Sequence, residues 1–261
     1  IDKILRERSV DFRNYHIELL KRRFAVRIRA NNLKSYTDYM RFLTKTPKEY
    51  DKLFETLCIN ISEFYRDPPV WVTLEYLFEN LMRIKEARNE TWIRIWSAGC
   101  ANGEEPHTIA ILLREILGSE LSGFAVNIVG TDVDKKAMDT AEKGEYEKNS
   151  IKNLDKALIE KYFIHSAGTY RVIDQIRNMI TIKYLDLTTN DLVADCDFIF
   201  CRNVFIYFDR GLQEQLLMKY YNGLKPDGYL VMGKSETLIR EATTIFDPVD
   251  SENRIYRKKA A

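Results

Sequence analysis

The sequence predicts a helical front part followed by an α/β part built on a mostly parallel sheet, and three observations carry that reading. Tyr15 to Lys34 contains neither Gly nor Pro and repeats Ile17, Leu20, Phe24 and Ile28 at helical spacing. After Asn89-Glu90, short apolar runs alternate with helical stretches, as in parallel strands joined by crossover helices. The first of those runs ends in a glycine turn that opens a helix, which gathers ligand-binding backbone groups at the carboxyl edge of an open sheet.

The elements follow in order. After the Tyr15–Lys34 helix, a second is expected over Ser35 to Leu43. Thr46-Pro47 predicts an N-cap with proline at the first helical position, followed by the apolar stripe Tyr50, Leu53, Phe54 and Leu57. Residues 1–64 therefore form a small helical bundle. Asp67-Pro68-Pro69 is expected to break the chain before a linker helix from Trp71 to Arg88, so that residues 65–90 connect the bundle to an α/β domain over 91–261. Strands are expected at Ile93–Trp96, Val126–Gly130, Met179–Tyr184, Phe198–Cys201, Tyr229–Met232 and Arg254–Arg257. The last has no long helix before it and is expected antiparallel at the sheet edge. Helices are expected at Glu104–Leu117, Lys135–Lys143 and Leu212–Leu224. Between about 145 and 178 the rhythm lapses, and Tyr162-Phe163 with Tyr170–Ile173 suggests a small β insertion.

Composition narrows the function classes. A chain of 261 residues, 45% apolar and 30% charged, is large enough to bury a core. No apolar run approaches the roughly 18 residues of a membrane span. The start at Ile1 implies that the sequence begins inside a longer chain. Cys58, Cys100, Cys196 and Cys201 form no C-x-x-C pair, so reduced, buried thiols in a cytoplasmic protein are expected, and no metal site. The net charge of +1 hides an asymmetry: residues 1–66 carry 15 Lys+Arg against 9 Asp+Glu, leaving 25 against 30. Lys21, Arg22, Arg23, Arg27, Arg29 and Lys34 make the first helix basic, which by charge alone suits either a partner surface or a solvated helix face.

The chemistry starts at Ser97-Ala98-Gly99-Cys100-Ala101-Asn102-Gly103-Glu104-Glu105-Pro106. Its two glycines are spaced G-x-x-x-G, so neither the dinucleotide fingerprint nor a P-loop is present. Glu104 and Glu105 would repel a pyrophosphate and complement a cation, although acids in a first turn also simply stabilise the helix dipole. Asp132 ends the second strand, where a carboxylate takes both ribose hydroxyls or caps the next helix.

These residues, taken with Phe12-Arg13-Asn14-Tyr15, Leu20-Lys21-Arg22-Arg23, Asn60-Ile61-Ser62-Glu63-Phe64-Tyr65-Arg66-Asp67-Pro68, Gly130–Asp134, Phe200-Cys201-Arg202-Asn203-Val204-Phe205-Ile206-Tyr207-Phe208-Asp209 and Leu224–Gly228, resemble the CheR family of chemotaxis receptor methyltransferases nearly end to end. The resemblance implies a Rossmann-like class I domain with a seven-stranded, mostly parallel sheet, behind an all-α N-terminal domain. It implies methyl transfer from S-adenosylmethionine to receptor glutamates, with S-adenosylhomocysteine as product. By the same resemblance Asn60, Ser62 and Arg66 reach the cofactor from the interdomain stretch, Glu104 and Asp132 hold its charged and ribose parts, and Gly99, Asp186, Leu187, Asn203 and Val204 line the rest. Lys21, Arg22, Arg23, Arg27 and Arg29 dock the receptor's acidic cytoplasmic helical bundle. Ser62, Tyr65 and His107 depart from the family's usual Thr, Phe and Tyr. The insertion lacks a glycine-rich extension, so recognition that does not depend on a receptor-tail peptide is expected, with the enzyme a monomer by default.

A glutamate is already ionised at neutral pH, so its methylation needs alignment and no general base. Tyr207 and Arg66 are the candidates for orienting acceptor or cofactor, and His16, His107 and His165 are expected to be structural. Two rival readings stay open. Asn203 to Tyr207 loosely echoes the Asn-Pro-Pro-Tyr motif of base methyltransferases, without either proline, and the acidic second part opposes a phosphate track, so no nucleic acid is expected. A non-catalytic receptor-binding adaptor is the other.

Overall fold

The protein was analysed as a computed structural model that describes residues 4–6, 11–58, 60–118, 120–189 and 191–259. Three helices open it: α1 (Ile17–Ala30), α2 (Tyr36–Lys45) and α3 (Pro47–Leu57). Their apolar faces meet in one core of Leu20, Ile28, Tyr39, Leu43, Leu53 and Leu57, with Ile4 and Phe12 beside them. The α1 pattern extends to Lys34 in sequence, but the helix ends four residues sooner. Asn32 adopts φ +55°, which asparagine tolerates, and Leu33 N–H turns back to donate to Ile28 O at 2.9 Å. Ser35 caps α2 by accepting from Asp38 N–H. Thr46 precedes α3 as expected but makes no capping bond, and Pro47 alone sets the start.

Helix α4 (Pro68–Ala87) corrects the expected chain break. Pro68 and Pro69 sit in its first turn, where a missing N–H leaves nothing unpaired, so they begin the helix rather than delay it to Trp71. Its face of Val70, Trp71, Leu74, Leu77, Phe78 and Met82 is buried in the core shared with the sheet.

The sheet has seven strands: β1 (Trp92–Ala98), β2 (Ala125–Asp132), β6 (Ile180–Tyr184), β7 (Cys196–Cys201), β8 (Leu224–Met232), β9 (Phe246–Asp250) and β10 (Ile255–Lys258). Their order is β6-β2-β1-β7-β8-β10-β9. The first five run parallel, while β10 is antiparallel to both neighbours. The fully buried β7 is a continuous apolar run broken only by Asp197, as a strand covered on both faces requires. The antiparallel direction of β10 matches the sequence reading; its expected edge position does not. The edge belongs to β9, whose Phe-Asp-Pro-Val-Asp sequence looks unlike a strand. Pro248 has no N–H to donate, and an edge tolerates that.

Crossover helices α5 (Glu104–Leu117), α6 (Lys135–Lys143) and α9 (Arg210–Gly223) pack against the sheet. Between α6 and β6 lies the insertion, with β3 (Glu145–Glu147), α7 (Lys156–Tyr162), β4 (Phe163–Ser166), β5 (Thr169–Val172) and the single turn α8 (Asp174–Arg177). Its strands form an antiparallel sheet ordered β3-β5-β4, and β4 and β5 join through Ala167 and Gly168, both at positive φ. A one-turn α10 (Ala242–Ile245) leads into β9. All four cysteines are free; Cys58 is only partly buried, against the expectation for it. Among the described residues no helix is long and apolar enough to cross a membrane, and no cluster suited to a metal ion occurs.

Candidate active site

Strand order reverses direction around β1, which has β2 on one side and β7 on the other, and ligands bind beyond the carboxyl ends of strands at such a point. A cavity of about 420 Å³ lies there. The loops after β1 (Gly99–Ala101), β2 (Asp132, Val133), β6 (Leu185–Leu187) and β7 (Arg202–Val204) line it. The interdomain stretch and the N-terminal helices close it from above with Asn60 to Glu63, Arg66, Arg23 and Tyr15.

The β1 turn is shaped by its glycines. Gly99 adopts φ +77°, and a Cβ there would lie 2.6 Å from Val204 Cγ2, so only glycine lets the β1 and β7 loops approach this closely. Beneath the turn His107 is buried. Its Nδ1 lies 2.8 Å from Gly103 O and 3.0 Å from the Tyr146 hydroxyl, which donates to Asn102 O. Burial pulls the His107 pKa down to about 4, so the imidazole is neutral and supports the turn without lining this cavity.

Three carboxylates converge below and beside the turn. Asp132 does not cap α6: that cap is Asp134, which accepts from Lys136 N–H and, on its other oxygen, from Asn60 Nδ2 at 2.6 Å. Asp132 instead faces the cavity, accepting from Ala101 N–H at 2.9 Å, Val133 N–H at 2.7 Å and Asp134 N–H at 3.0 Å. Glu105 lines the wall, with Ser97 Oγ on one oxygen at 2.7 Å and Arg202 on the other at 3.3 Å. Glu104, assigned from sequence to the cofactor, lies behind that wall, 1% exposed, beside Ser62 and Ser150. Its Oε2 has no hydrogen-bond partner, so one acidic group is left unsatisfied at this end of the cavity.

Burial raises the pKa of Glu104, Glu105 and Asp132 above the ordinary carboxylate value. A raised folded-state pKa favours the protonated form. The stability these groups contribute is thus present in acid and lost as pH rises through the raised values. A cationic ligand favours the ionised form and reverses that penalty. Its affinity should rise with pH as these carboxylates ionise, then level off, with protons released on binding. Calorimetric titration with S-adenosylmethionine in two buffers of different ionisation enthalpy measures both; an affinity that does not change as these carboxylates ionise would contradict their assignment to a cationic ligand.

The cavity lining also carries basic groups. Arg66, held by Nη1 donating to Ile61 O at 3.0 Å, and Arg23 from α1 both reach the Tyr207 hydroxyl electrostatically. Burial pushes that hydroxyl above its usual pKa, and the two guanidiniums oppose the push. The interdomain stretch is fixed from below by Arg202, 7% exposed. Its Nη2 donates to Arg66 O and Asp67 Oδ2, both at 2.9 Å, and its guanidinium stacks over Trp71.

The cavity thus combines an apolar, glycine-shaped surface with an acid at a strand tip and a further carboxylate, Glu105, in its wall. Residues 60–255 match the CheR methyltransferase SAM binding domain, and residues 1–58 match the CheR all-alpha domain. The chain belongs to the CheR methyltransferase family. It is 30% identical to chemotaxis protein methyltransferase 2 of Pseudomonas aeruginosa over 244 residues, covering 91% of this chain and 85% of that protein. It is 32% identical to the chemotaxis protein methyltransferase of Borreliella burgdorferi over 251 residues, 91% of this chain and 88% of that one. The Escherichia coli relative of the same description is 28% identical over 228 residues, covering 84% and 76%.

Within this CheR site, Asn60, Ser62, Arg66, Gly99, Asp132, Asp186, Leu187, Asn203, Val204 and Tyr207 all line the cavity. Glu104 lies behind it. Of the basic set, Arg23 turns into the cavity, while Lys21, Arg22 and Arg29 stay exposed and Lys21 pairs with Glu18 at 2.8 Å. Arg27 leaves the docking face altogether. Its Nε and Nη2 grip both oxygens of the buried Glu49 at 2.9 Å, joined by Asn31 and the Tyr39 hydroxyl. Sequence reasoning missed Arg202, Tyr15 and Cys58 as parts of the site, and of the acidic pair Glu104 and Glu105 it assigned Glu104 to the cofactor. Glu105 was visible beside Glu104, but which of two successive helical residues faces a cavity depends on how the helix is rotated against the sheet.

S-adenosylmethionine, when bound, supplies an electrophilic methyl group on a positively charged sulfur. Gly99, Val204 and Leu187 form a close apolar surface of the cavity, with the Asp132 carboxylate, Arg66 and Tyr207 also in its lining, whereas Glu104 has no surface on it.

Proposed function

We propose that this protein methylates glutamate side chains of a methyl-accepting chemotaxis receptor, forming methyl esters in the cytoplasm. The observation that carries this reading is the mixed charge of the cavity lining. It brings the carboxylates of Glu105 and Asp132, which suit a cationic methyl donor, together with Arg23 and Arg66 beside Tyr207, which suit an anionic acceptor. A carboxylate held by these guanidiniums needs no proton removed: one of its oxygens bonds to the methyl carbon, the carbon–sulfur bond breaks, and the positive charge on sulfur is cancelled. What the chain contributes is alignment and the partial removal of water from two opposite charges. The exposed Lys21, Arg22 and Arg29 on the same helix as Arg23 support an acidic partner that lies across the mouth.

The test uses a receptor cytoplasmic fragment and methyl-labelled cofactor, scored as base-labile methanol. Reversing Lys21, Arg22 and Arg29 to Glu should reduce receptor methylation by roughly tenfold or more at low salt, while S-adenosylhomocysteine affinity holds. Full methylation by that variant would remove the docking role. Receptor binding without any ester formed by the intact protein would favour an adaptor, and label appearing in nucleic acid would favour the base-methylating alternative.

A further inference from the structure

The loop after β7 carries Asn203, Val204 and Tyr207 in the cavity lining; its later part is held by a single 3-10 turn over Phe205–Tyr207 and by Gln213 Nε2 donating to Phe205 O and Phe208 O, but none of these bonds reaches the Asn203 N–H at its start. Asn203 adopts φ +62°, outside both sheet and right-handed helix, so its backbone N–H has no strand or helix partner. Four N–H groups around this turn converge on a single side chain. Glu236, 4% exposed, accepts from Gly233 N–H at 2.6 Å, Asn203 N–H at 3.0 Å and Phe205 N–H at 2.8 Å, with Val204 N–H contributing as well. Gly233 directly follows β8 and Asn203 lies just past β7, so the carboxylate ties together the segments that leave two adjacent strands. The fit is tight: a Cβ on Gly233 would lie 2.7 Å from both Asn203 N and Glu236 Oε2.

From Glu236 the loop continues into contact with the N-terminal helices. Tyr207 O accepts from His16 N–H at 2.9 Å, Asp209 N–H donates to Asn14 O at 2.8 Å, and the Tyr15 ring packs edge-on against Phe208 at 5.0 Å. The segment that leads into basic α1 is thus docked on the far end of the loop whose near end Glu236 holds. We propose that Glu236 is a positioning residue for methyl transfer, whose buried carboxylate fixes the 203–208 loop so that its cofactor contacts and Tyr207 are presented together.

Chemistry selects a carboxylate for this task. Four N–H donors require an acceptor-only group with several lone pairs, which an ionised carboxylate is and an amide is not. Glutamine at 236 would turn an NH₂ group toward backbone N–H donors and leave at least one of them unpaired in a buried place. The inference rests on the assignment of the cavity to S-adenosylmethionine and Tyr207, so its test is built to separate the two.

Glu236→Gln is compared with the intact protein and with Leu77→Ala, a core truncation in α4 that lowers stability without approaching the loop. Each is titrated with S-adenosylhomocysteine well below its melting temperature, and amide hydrogen exchange is followed at Asn203, Val204, Phe205 and Gly233. Glu236→Gln should weaken binding by roughly tenfold or more and lower kcat at saturating cofactor, with exchange protection lost at those four amides. Leu77→Ala should keep both binding and protection. Gly233→Ala drives a methyl group into the same clamp, and answers the question should Glu236→Gln fail to fold. Normal cofactor affinity and kcat in either folded variant overturn the positioning role. Failure of the intact protein to bind S-adenosylhomocysteine overturns the cofactor assignment and this inference with it.

Discussion

Arg27→Ala is expected to destabilise the N-terminal helices by about 3–5 kcal/mol, although a helical wheel places Arg27 on the basic docking face. The pair it forms with Glu49 is bidentate, with side chains 16% and 4% exposed. Removing the guanidinium leaves a buried carboxylate whose remaining partners, Asn31 and Tyr39, are neutral. Arg22→Ala and Arg29→Ala, on exposed positions, should change stability by no more than about 0.5 kcal/mol. Chemical denaturation of the three variants makes the comparison. The double variant Arg27→Met/Glu49→Leu should recover much of the loss, because apolar residues of similar size replace a buried ion pair at little penalty. An Arg27→Ala variant as stable as Arg22→Ala would show that the pair contributes nothing and return Arg27 to the docking face. A methylation defect in Arg27→Ala is therefore an effect on folding, and a basic-face experiment that includes it confuses two causes.

Asp132→Ala is expected to weaken S-adenosylhomocysteine binding by about 2–4 kcal/mol, roughly 30- to 1000-fold. In the proposed cofactor assignment the carboxylate accepts from the ribose hydroxyls, and in the structure it holds the Ala101, Val133 and Asp134 N–H groups. Truncation thus removes the direct contacts and releases the β1 and β2 loops that shape the floor. Asp134→Ala is the informative neighbour. It removes the α6 cap and the Asn60 bond, so it should lower stability by about 1 kcal/mol, with a smaller effect on affinity. Isothermal titration of both variants separates the roles, and wild-type affinity in Asp132→Ala would dismantle the cofactor assignment at its strongest point.

Much of this architecture was legible because local rules and tertiary structure agree. The boundaries of α5 and α6 coincide with their apolar periodicity and flanking residues, and β7 announces itself by the apolar run Phe198–Cys201. Where they disagree the reason is local. The prolines at 68 and 69 begin α4 instead of breaking it, because the first turn of a helix needs no N–H from them. The edge strand β9 contains Pro248 and two aspartates and pairs on one side only, so it carries neither the alternation nor the β-branched composition that marks an ordinary strand.

For the site, ordered motifs along the chain named ten residues that now line one cavity, since strand-to-helix turns of an open sheet converge at its carboxyl edge whatever their separation in sequence. By itself the sequence determined the two-part organisation, the parallel sheet, the acid at the tip of β2 and the basic character of α1. Each of these depends on residue type and short-range spacing. Only the tertiary structure decided that Arg27 is an internal ion pair while Arg23 enters the cavity, that Glu105 is neutralised by Arg202 while Glu104 keeps a free oxygen, and that Glu236 clamps a loop 33 residues before it. Those outcomes turn on which way a helix is rotated and which buried groups find partners across long sequence separations, and no local pattern encodes either.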